Sequence, residues 1–145
     1  MPQSLSKLYV HITFSTKNRV NSIDDTIENE LWKLIGATIN KTGSQVIKVG
    51  GHKDHVHILF NLHRTVTVAK VVEMVKTTSS KWMKNQDVHF QDFYWQNGYS
   101  AFSVNPKEVN RVVKYISNKK EHHKTGSFQD ECRAFFKQYG VEYDE

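Results

Sequence analysis

Apolar residues occupy every second position between Leu8 and Phe14, and His11 lies among the residues of the opposite side. This alternation predicts a β-strand that buries one of its sides. Two further extended segments, 45–49 and 55–60, are separated by residues 50–54, which begin with Gly50-Gly51. We predict that they form a hairpin with the two glycines in its turn.

Apolar residues three or four positions apart predict helices around these strands. The segments with this spacing are Ile27–Ile39, Val68–Met83, Val109–Ile116 and Phe128–Tyr139. Ser22 or Asp24 can cap the start of the first segment, and Gly43 suits its end. Asn105 followed by Pro106 suits the start of the third segment.

The predicted elements follow the order strand, helix, strand, strand, helix, strand and then two helices, with the fourth strand at 95–104. The first six match the ferredoxin-like β-α-β-β-α-β arrangement. We therefore predict an α+β fold in which an antiparallel sheet carries helices on one face and leaves the other face open. The sequence shows neither a linker nor a repeat, so we predict a single domain over residues 1–145.

Charge and cysteine content narrow the class of protein. Lys and Arg total 20 against 15 Asp and Glu, and the net charge of +5 permits a polyanionic partner such as nucleic acid. The single cysteine, Cys132, excludes an internal disulfide and a cysteine-rich zinc finger. The chain has no apolar run near the roughly 20 residues of a membrane helix. It also lacks a signal-peptide pattern, so we expect a cytoplasmic protein.

Eight histidines are many for this length, and His55 and His57 form the most informative pair. Residues two apart on a strand project to the same side with Cα atoms roughly 7 Å apart, so both imidazoles could reach one metal ion. The apolar residues that alternate with them would fix the register and place the pair on the open face. Taken alone, the pattern also fits two surface histidines with no ligand.

Tyr115 is the candidate nucleophile. It lies at the flank of the apolar stripe of the third helix, with Asn118 and Lys119 on the same flank. A tyrosine hydroxyl can form a covalent intermediate. Its ordinary pKa of about 10 means that it needs a base or a metal-polarised target to attack well. A half-buried tyrosine at a core edge is the structural alternative.

Basic, hydroxyl and amide side chains that can contact DNA phosphates occur at two places. They are Lys17, Asn18 and Arg19 after the first strand, and Lys76, Ser79, Ser80 and Lys81 on the second helix. Trp82, beside the second group, is expected to be a core residue and not a platform for an unpaired base. A solvated helix face would present the same residues.

Several segments together resemble the single-tyrosine HUH transposases of the insertion-sequence 200/605 type, whose relatives include the REP-associated tyrosine transposases. They are DHVHILF, KTTSSKWM, WQNGYSAFSV, VVKYISNKKEHH and SFQDECRAFFKQYGVEYDE. The first strand, in LYVHITFSTKNR, is also similar to the opening of the family. The resemblance therefore spans nearly the whole chain, in the expected order.

This resemblance implies a ferredoxin-like homodimer that cleaves and rejoins single-stranded DNA beside a hairpin at the ends of a mobile element. His55 and His57 match the HUH pair, which binds Mg²⁺ or Mn²⁺. Tyr115 matches the nucleophile that becomes joined to the 5′ phosphate. In the family, the tyrosine helix of one subunit can serve the histidine pair of the other. His11, by its alternation, is expected near the DNA or the metal.

One position departs from the family pattern. The family commonly has Gln four residues after the tyrosine, where it helps to hold the metal, and this chain has Lys119. A protonated Lys is not a metal ligand. Three explanations stay open: Asn118 or Glu121 substitutes as a ligand, Lys119 contacts the phosphate, or the metal site is weakened.

Two other functions compete with the transposase. The first is a non-catalytic module that binds nucleic-acid hairpins and derives from such a transposase. The second is a hydrolase with a zinc-bound hydroxide, which is disfavoured because catalytic zinc usually has three protein ligands and the sequence shows two. Metal-dependent covalent attachment to DNA separates the transposase from both.

Overall fold

The computed structural model describes residues 3–118 and 128–140. The strands are β1 (Tyr9–Ser15), β2 (Gln45–His52), β3 (His55–Asn61) and β4 (Ser100–Ser103). The α-helices are α1 (Glu28–Lys41), α2 (Val68–Lys84), α3 (Val109–Ser117) and α4 (Phe128–Tyr139). Short 3₁₀ turns lie at Lys17–Arg19, Val88–Phe90 and Pro106–Glu108. No helix within the described ranges combines the length and apolar character needed to cross a membrane.

The four strands form one sheet in the order β2-β3-β1-β4, and every neighbouring pair is antiparallel. Together with the order of the elements along the chain, this sheet confirms the predicted ferredoxin-like α+β fold. The register of the two central strands places Ile12 opposite Ile58 and Thr13 opposite His57. The apolar side of β1 therefore lies beside the apolar side of β3, and the opposite sides of the two strands also lie together.

The main core lies between the sheet and helices α1 and α2. The apolar sides of β1 and β3 pack there with the apolar faces of both helices, as the alternation predicts. Asp24 stabilises the start of α1, since its carboxylate accepts the backbone N–H of Thr26 at 3.0 Å and of Ile27 at 3.2 Å. Gly43 follows the helix with φ of +88°, a conformation that glycine adopts without strain.

Two sequence predictions about strand ends are wrong. Gly50 and Gly51 lie within β2, and the hairpin turns instead at residues 53–54. A side chain at Gly51 would collide with the backbone of His55, so close strand approach explains this glycine better than turn geometry does. The fourth strand spans only Ser100–Ser103, while Trp95 forms a separate bridge with Thr16.

The second face of the sheet is not open, which corrects the predicted architecture. Helix α3 packs across it, and Ile116 of α3 joins Leu59 and Val104 in a second buried apolar cluster. The apolar stripe of α3 needs a partner surface, and Leu59 supplies one because it lies on the histidine side of β3. Gly50 permits the close approach: a Cβ there would stand 2.8 Å from Ile116 Cγ2 and 3.2 Å from its carbonyl oxygen.

Candidate active site

Strand β3 places His55 and His57 side by side on the sheet face that α3 covers. Their ring centroids lie 5.2 Å apart, and the ring planes are nearly perpendicular, at 85°. The prediction that both project to one side is confirmed by this contact. The predicted exposure on an open face is wrong, because both side chains are completely buried.

Asp54 orients the first histidine of the pair. The Nδ1 atom of His55 lies 2.7 Å from Oδ1 of Asp54. A carboxylate can only accept, so the imidazole carries a proton on Nδ1. Sequence reasoning did not assign this role to Asp54, although a carboxylate directly before a histidine pair is a signal for it.

His11 contacts the second histidine of the pair. Its Nε2 atom and Nδ1 of His57 share a hydrogen bond of 2.9 Å across the two central strands. His11 is 1% exposed, so it does not contribute to a surface for DNA in this conformation. Of the two places that the sequence allowed for it, near the DNA or near the metal, the structure puts it beside the candidate metal ligand.

Helix α3 brings the candidate nucleophile to the same place. The ring centroid of Tyr115 lies 5.7 Å from that of His57 and 6.5 Å from that of His11, both in edge-on geometry. Tyr115 is half-buried, as its flank position predicts. The neighbouring residue, Ile116, packs on Gly50, so the glycine determines how near the tyrosine comes to the imidazoles.

A metal at this site would have few protein ligands. Within the described ranges, no group of three or more His, Cys, Asp or Glu side chains is arranged to hold a metal. The Nε2 atom of His55, and that of His57, would bind the ion, and water and phosphate oxygens would complete its coordination. Oxygen ligands of this kind favour Mg²⁺ or Mn²⁺, which two imidazoles alone would not.

The residues around the departure from the family pattern are only partly described. Asn118 is exposed, and its backbone N–H donates to the Lys114 carbonyl at the end of α3. Lys119 and Glu121 lie outside the described residues, so their predicted contacts with metal or phosphate stay predictions.

The first group of predicted DNA contacts lies next to the histidine pair. Lys17, Asn18 and Arg19 are exposed, and Asn18 and Arg19 have positive φ angles of 56° and 54°. The preceding backbone is tied to the site, since the Thr16 N–H donates to the carbonyl of Asp54 at 2.8 Å. The segment that carries these polar side chains therefore begins directly after a residue bonded to Asp54.

The second group divides into buried and exposed members. Ser79 is 1% exposed, and its hydroxyl accepts the indole N–H of Trp95 at 2.9 Å, so the structure places it in the core and not on the surface. Lys76 donates to the carbonyls of Gln96 and Gly98, each at 2.8 Å. Burial lowers the pKa of Lys76. This lysine therefore connects α2 to the loop that contains Gln96 and Gly98.

The remaining members of the second group stay accessible, and the structure adds an aromatic residue to the surface. Lys81 is exposed and Ser80 is half-buried. Tyr94 is 52% exposed, and the Nζ atoms of Lys84 and Lys17 lie 4.1 Å and 5.8 Å from its ring centroid. Sequence reasoning missed Tyr94, which lies between the two buried residues Phe93 and Trp95.

Comparison with solved structures supports the fold. One similar solved structure is from Deinococcus radiodurans R1 and is assigned provisionally as a transposase. It is 20% identical, covers 82% of this chain and 98% of its own, and has a TM-score of 0.64. Another is a REP-associated tyrosine transposase bound to a REP hairpin. It is 15% identical, covers 85% of this chain and 73% of its own, and has a TM-score of 0.63.

Comparison with curated proteins gives no match. The family described as "Transposase IS200 like" matches residues 4–119, which is most of the chain. The match includes the whole sheet, the histidine pair and the tyrosine helix. The chain therefore belongs to the IS200-like transposase family.

Proposed function

We propose that this protein cleaves and rejoins single-stranded DNA at hairpin-containing ends of a mobile element, through a 5′-phosphotyrosine at Tyr115 and with a divalent metal. The observation that carries the proposal is the 5.7 Å separation of the Tyr115 and His57 rings within one chain. The hairpin bound by the REP-associated transposase of the same fold supports a hairpin as the DNA partner.

The chemistry is a transesterification at one backbone phosphate. The Tyr115 oxygen attacks phosphorus, the bond to the 3′ oxygen breaks, and the phenolic proton ends on the 3′ hydroxyl or in solvent. A Mg²⁺ or Mn²⁺ ion at the histidine pair would offset the phosphate charge that repels the nucleophile. One phosphodiester replaces another, so a different 3′ hydroxyl can reverse the step without ATP.

We infer that access to the site involves a movement of α3. His57 is fully buried, and Tyr115 of α3 lies against its ring. A shift of α3 away from β2 and β3 would open the His57 imidazole to a phosphate. We propose that DNA binding stabilises this shifted position. The helix has only nine residues, and the described part of its contact is a small apolar patch.

The test is covalent capture of DNA. The protein is incubated with Mn²⁺ and a pool of 3′-labelled single strands that carry hairpins with varied stems and flanks. We expect a labelled adduct that survives denaturation and does not form with EDTA, because the 5′-phosphate fragment stays on the tyrosine. If EDTA does not change hairpin binding and no adduct forms, the protein is instead the non-catalytic binding module.

A mixing experiment tests whether the tyrosine serves its own chain. A His57→Ala protein lacks one ligand, and a Tyr115→Phe protein lacks the nucleophile. Because the two groups meet within one chain, we expect the mixture to form no more adduct than either variant alone. Adduct at a substantial fraction of the wild-type yield would show that a homodimer exchanges α3 between subunits. The measurement is the labelled band after denaturing electrophoresis.

A further inference from the structure

We propose that His11 is a positioning residue: it accepts a hydrogen bond from Nδ1–H of His57 and thereby makes Nε2 of His57 the metal-binding atom. The inference rests on the proposed function, because it concerns the same histidine pair. It assigns a task to a third histidine that is neither a ligand nor a nucleophile in that proposal.

The contact between the two histidines is built into the sheet. His11 Nε2 and His57 Nδ1 are 2.9 Å apart, and both side chains are buried. The register places Leu59 opposite His11 and Thr13 opposite His57, so the imidazoles meet diagonally across β1 and β3. Both strands lie at the centre of the sheet, which leaves little freedom for either ring.

Proton placement then follows from elementary imidazole chemistry. A neutral imidazole has one N–H, and the nitrogen that binds a metal must be the unprotonated one. Nδ1 of His57 is engaged by His11, so the ligand atom is Nε2 and the proton is on Nδ1. That proton needs an acceptor, and Nε2 of His11 is the atom within reach. His11 must then carry its own proton on Nδ1.

The arrangement parallels the other half of the pair. His55 donates from Nδ1 to the Asp54 carboxylate at 2.7 Å, just as His57 is proposed to donate from Nδ1 to His11. Each ligand histidine thus has an outer partner on Nδ1, one anionic and one neutral. A neutral imidazole fixes the ring and the tautomer without adding a second negative charge beside the DNA phosphate.

The first experiment needs no metal and no DNA. Long-range ¹H–¹⁵N spectra of the full chain report the tautomer of each imidazole. We expect the Nδ1–H form for His57 in the wild type, a mixture of tautomers in His11→Phe, and restoration in His11→Gln, whose amide can still accept. Thr13→Val is the matched control, since it removes another buried hydrogen bond on the same strand, to the Val56 carbonyl.

The second experiment measures binding of Co²⁺ alone through its visible absorption. We expect His11→Phe to weaken the affinity about 10–100-fold, the usual effect of losing an outer-shell partner. His11→Gln and Thr13→Val should stay close to the wild type. If His11 had only a structural role, His11→Phe and Thr13→Val would both lower the melting temperature. The Co²⁺ affinity and the tautomer of His57 would then be unchanged in both variants.

The outcomes separate this inference from the function on which it rests. An Nε2–H tautomer of His57 in the wild type overturns the inference even if the His11 variants do not fold. Equal Co²⁺ affinity in wild type and His11→Phe also overturns it. A wild type that binds Co²⁺ with the expected tautomer but forms no DNA adduct overturns the proposed function and leaves the role of His11 standing.

Discussion

Replacing Tyr115 with Phe is expected to abolish the covalent DNA adduct. The substitution removes the attacking oxygen and keeps the ring that lies against His57 and His11. Loss of a nucleophile lowers the rate of the chemical step by a factor on the order of 10³ or more, since the surrounding groups cannot form the covalent bond to phosphorus in its place. Because the ring is retained, hairpin affinity and the melting temperature should change little. Denaturing electrophoresis measures the adduct, and fluorescence anisotropy measures hairpin binding.

Tyr9→Phe provides the matched control for this prediction. Tyr9 packs against the same second apolar cluster as Tyr115 but stands on β1, at the opposite end of the strand from Ser15. Its substitution should leave the adduct at the wild-type level. An adduct of wild-type yield in Tyr115→Phe would contradict the proposed nucleophile, and loss of the adduct in Tyr9→Phe would show that the assay reports packing of the cluster instead.

The side of the sheet on which the histidines lie could be predicted from sequence because it depends on local alternation. On β3, Val56, Ile58 and Phe60 are buried against α1 and α2. Since the side chains of a strand alternate, His55 and His57 had to lie on the other side. Tyr115 could be selected as the candidate nucleophile by its resemblance to the family motif, and its half-buried position follows from its place beside the stripe of α3.

What covers the histidine face could not be predicted in the same way. The apolar stripe of α3 requires burial, but periodicity does not say whether this sheet or another surface provides it. The deciding feature is the missing side chain at Gly50, directly opposite His57 in the register. In the sequence, two adjacent glycines before a strand fit a turn equally well. The distinction depends on a helix more than 50 residues further along the chain.

Side chains on a helix pose a related difficulty. Ser79 and Lys81 are two positions apart on α2, and both fit a phosphate-binding surface by residue type. One is buried under Trp95 and the other is exposed. The Ser79 hydroxyl lies on the core side because the buried indole N–H of Trp95 requires an acceptor. This tertiary contact cannot be read from the sequence of α2.

Replacing Gly50 with Ala is expected to loosen α3 from the sheet. The new Cβ would stand 2.8 Å from Cγ2 of Ile116, which is itself buried, and 3.2 Å from the Ile116 carbonyl oxygen. Neither atom is the free end of a flexible side chain, so the helix backbone has to move. Overpacking of this kind costs about 1–3 kcal/mol. At about tenfold per 1.4 kcal/mol, amide hydrogen exchange within α3 should accelerate by about 5–140-fold.

Gly36→Ala separates this local effect from the general effect of adding a methyl group to a buried glycine. Gly36 lies within α1, and the nearest atom to its new Cβ would be 3.6 Å away, an ordinary contact with Val46. Its substitution should leave exchange in α3 unchanged and stabilise the protein by up to about 1 kcal/mol, since alanine favours the helix. Thermal unfolding measures the stability of both variants.

The same Gly50→Ala protein tests whether α3 is the cover of the metal site. If His57 becomes accessible only when α3 moves, its modification by diethyl pyrocarbonate should accelerate by about the same factor as the α3 amides, because both report one opening equilibrium. Peptide mass spectrometry measures the modification at His57 and, as an internal reference, at the exposed His89. Faster exchange in α3 with unchanged His57 reactivity would mean that the imidazole is reached by another route, and the proposed entry of the phosphate beneath α3 would have to be abandoned.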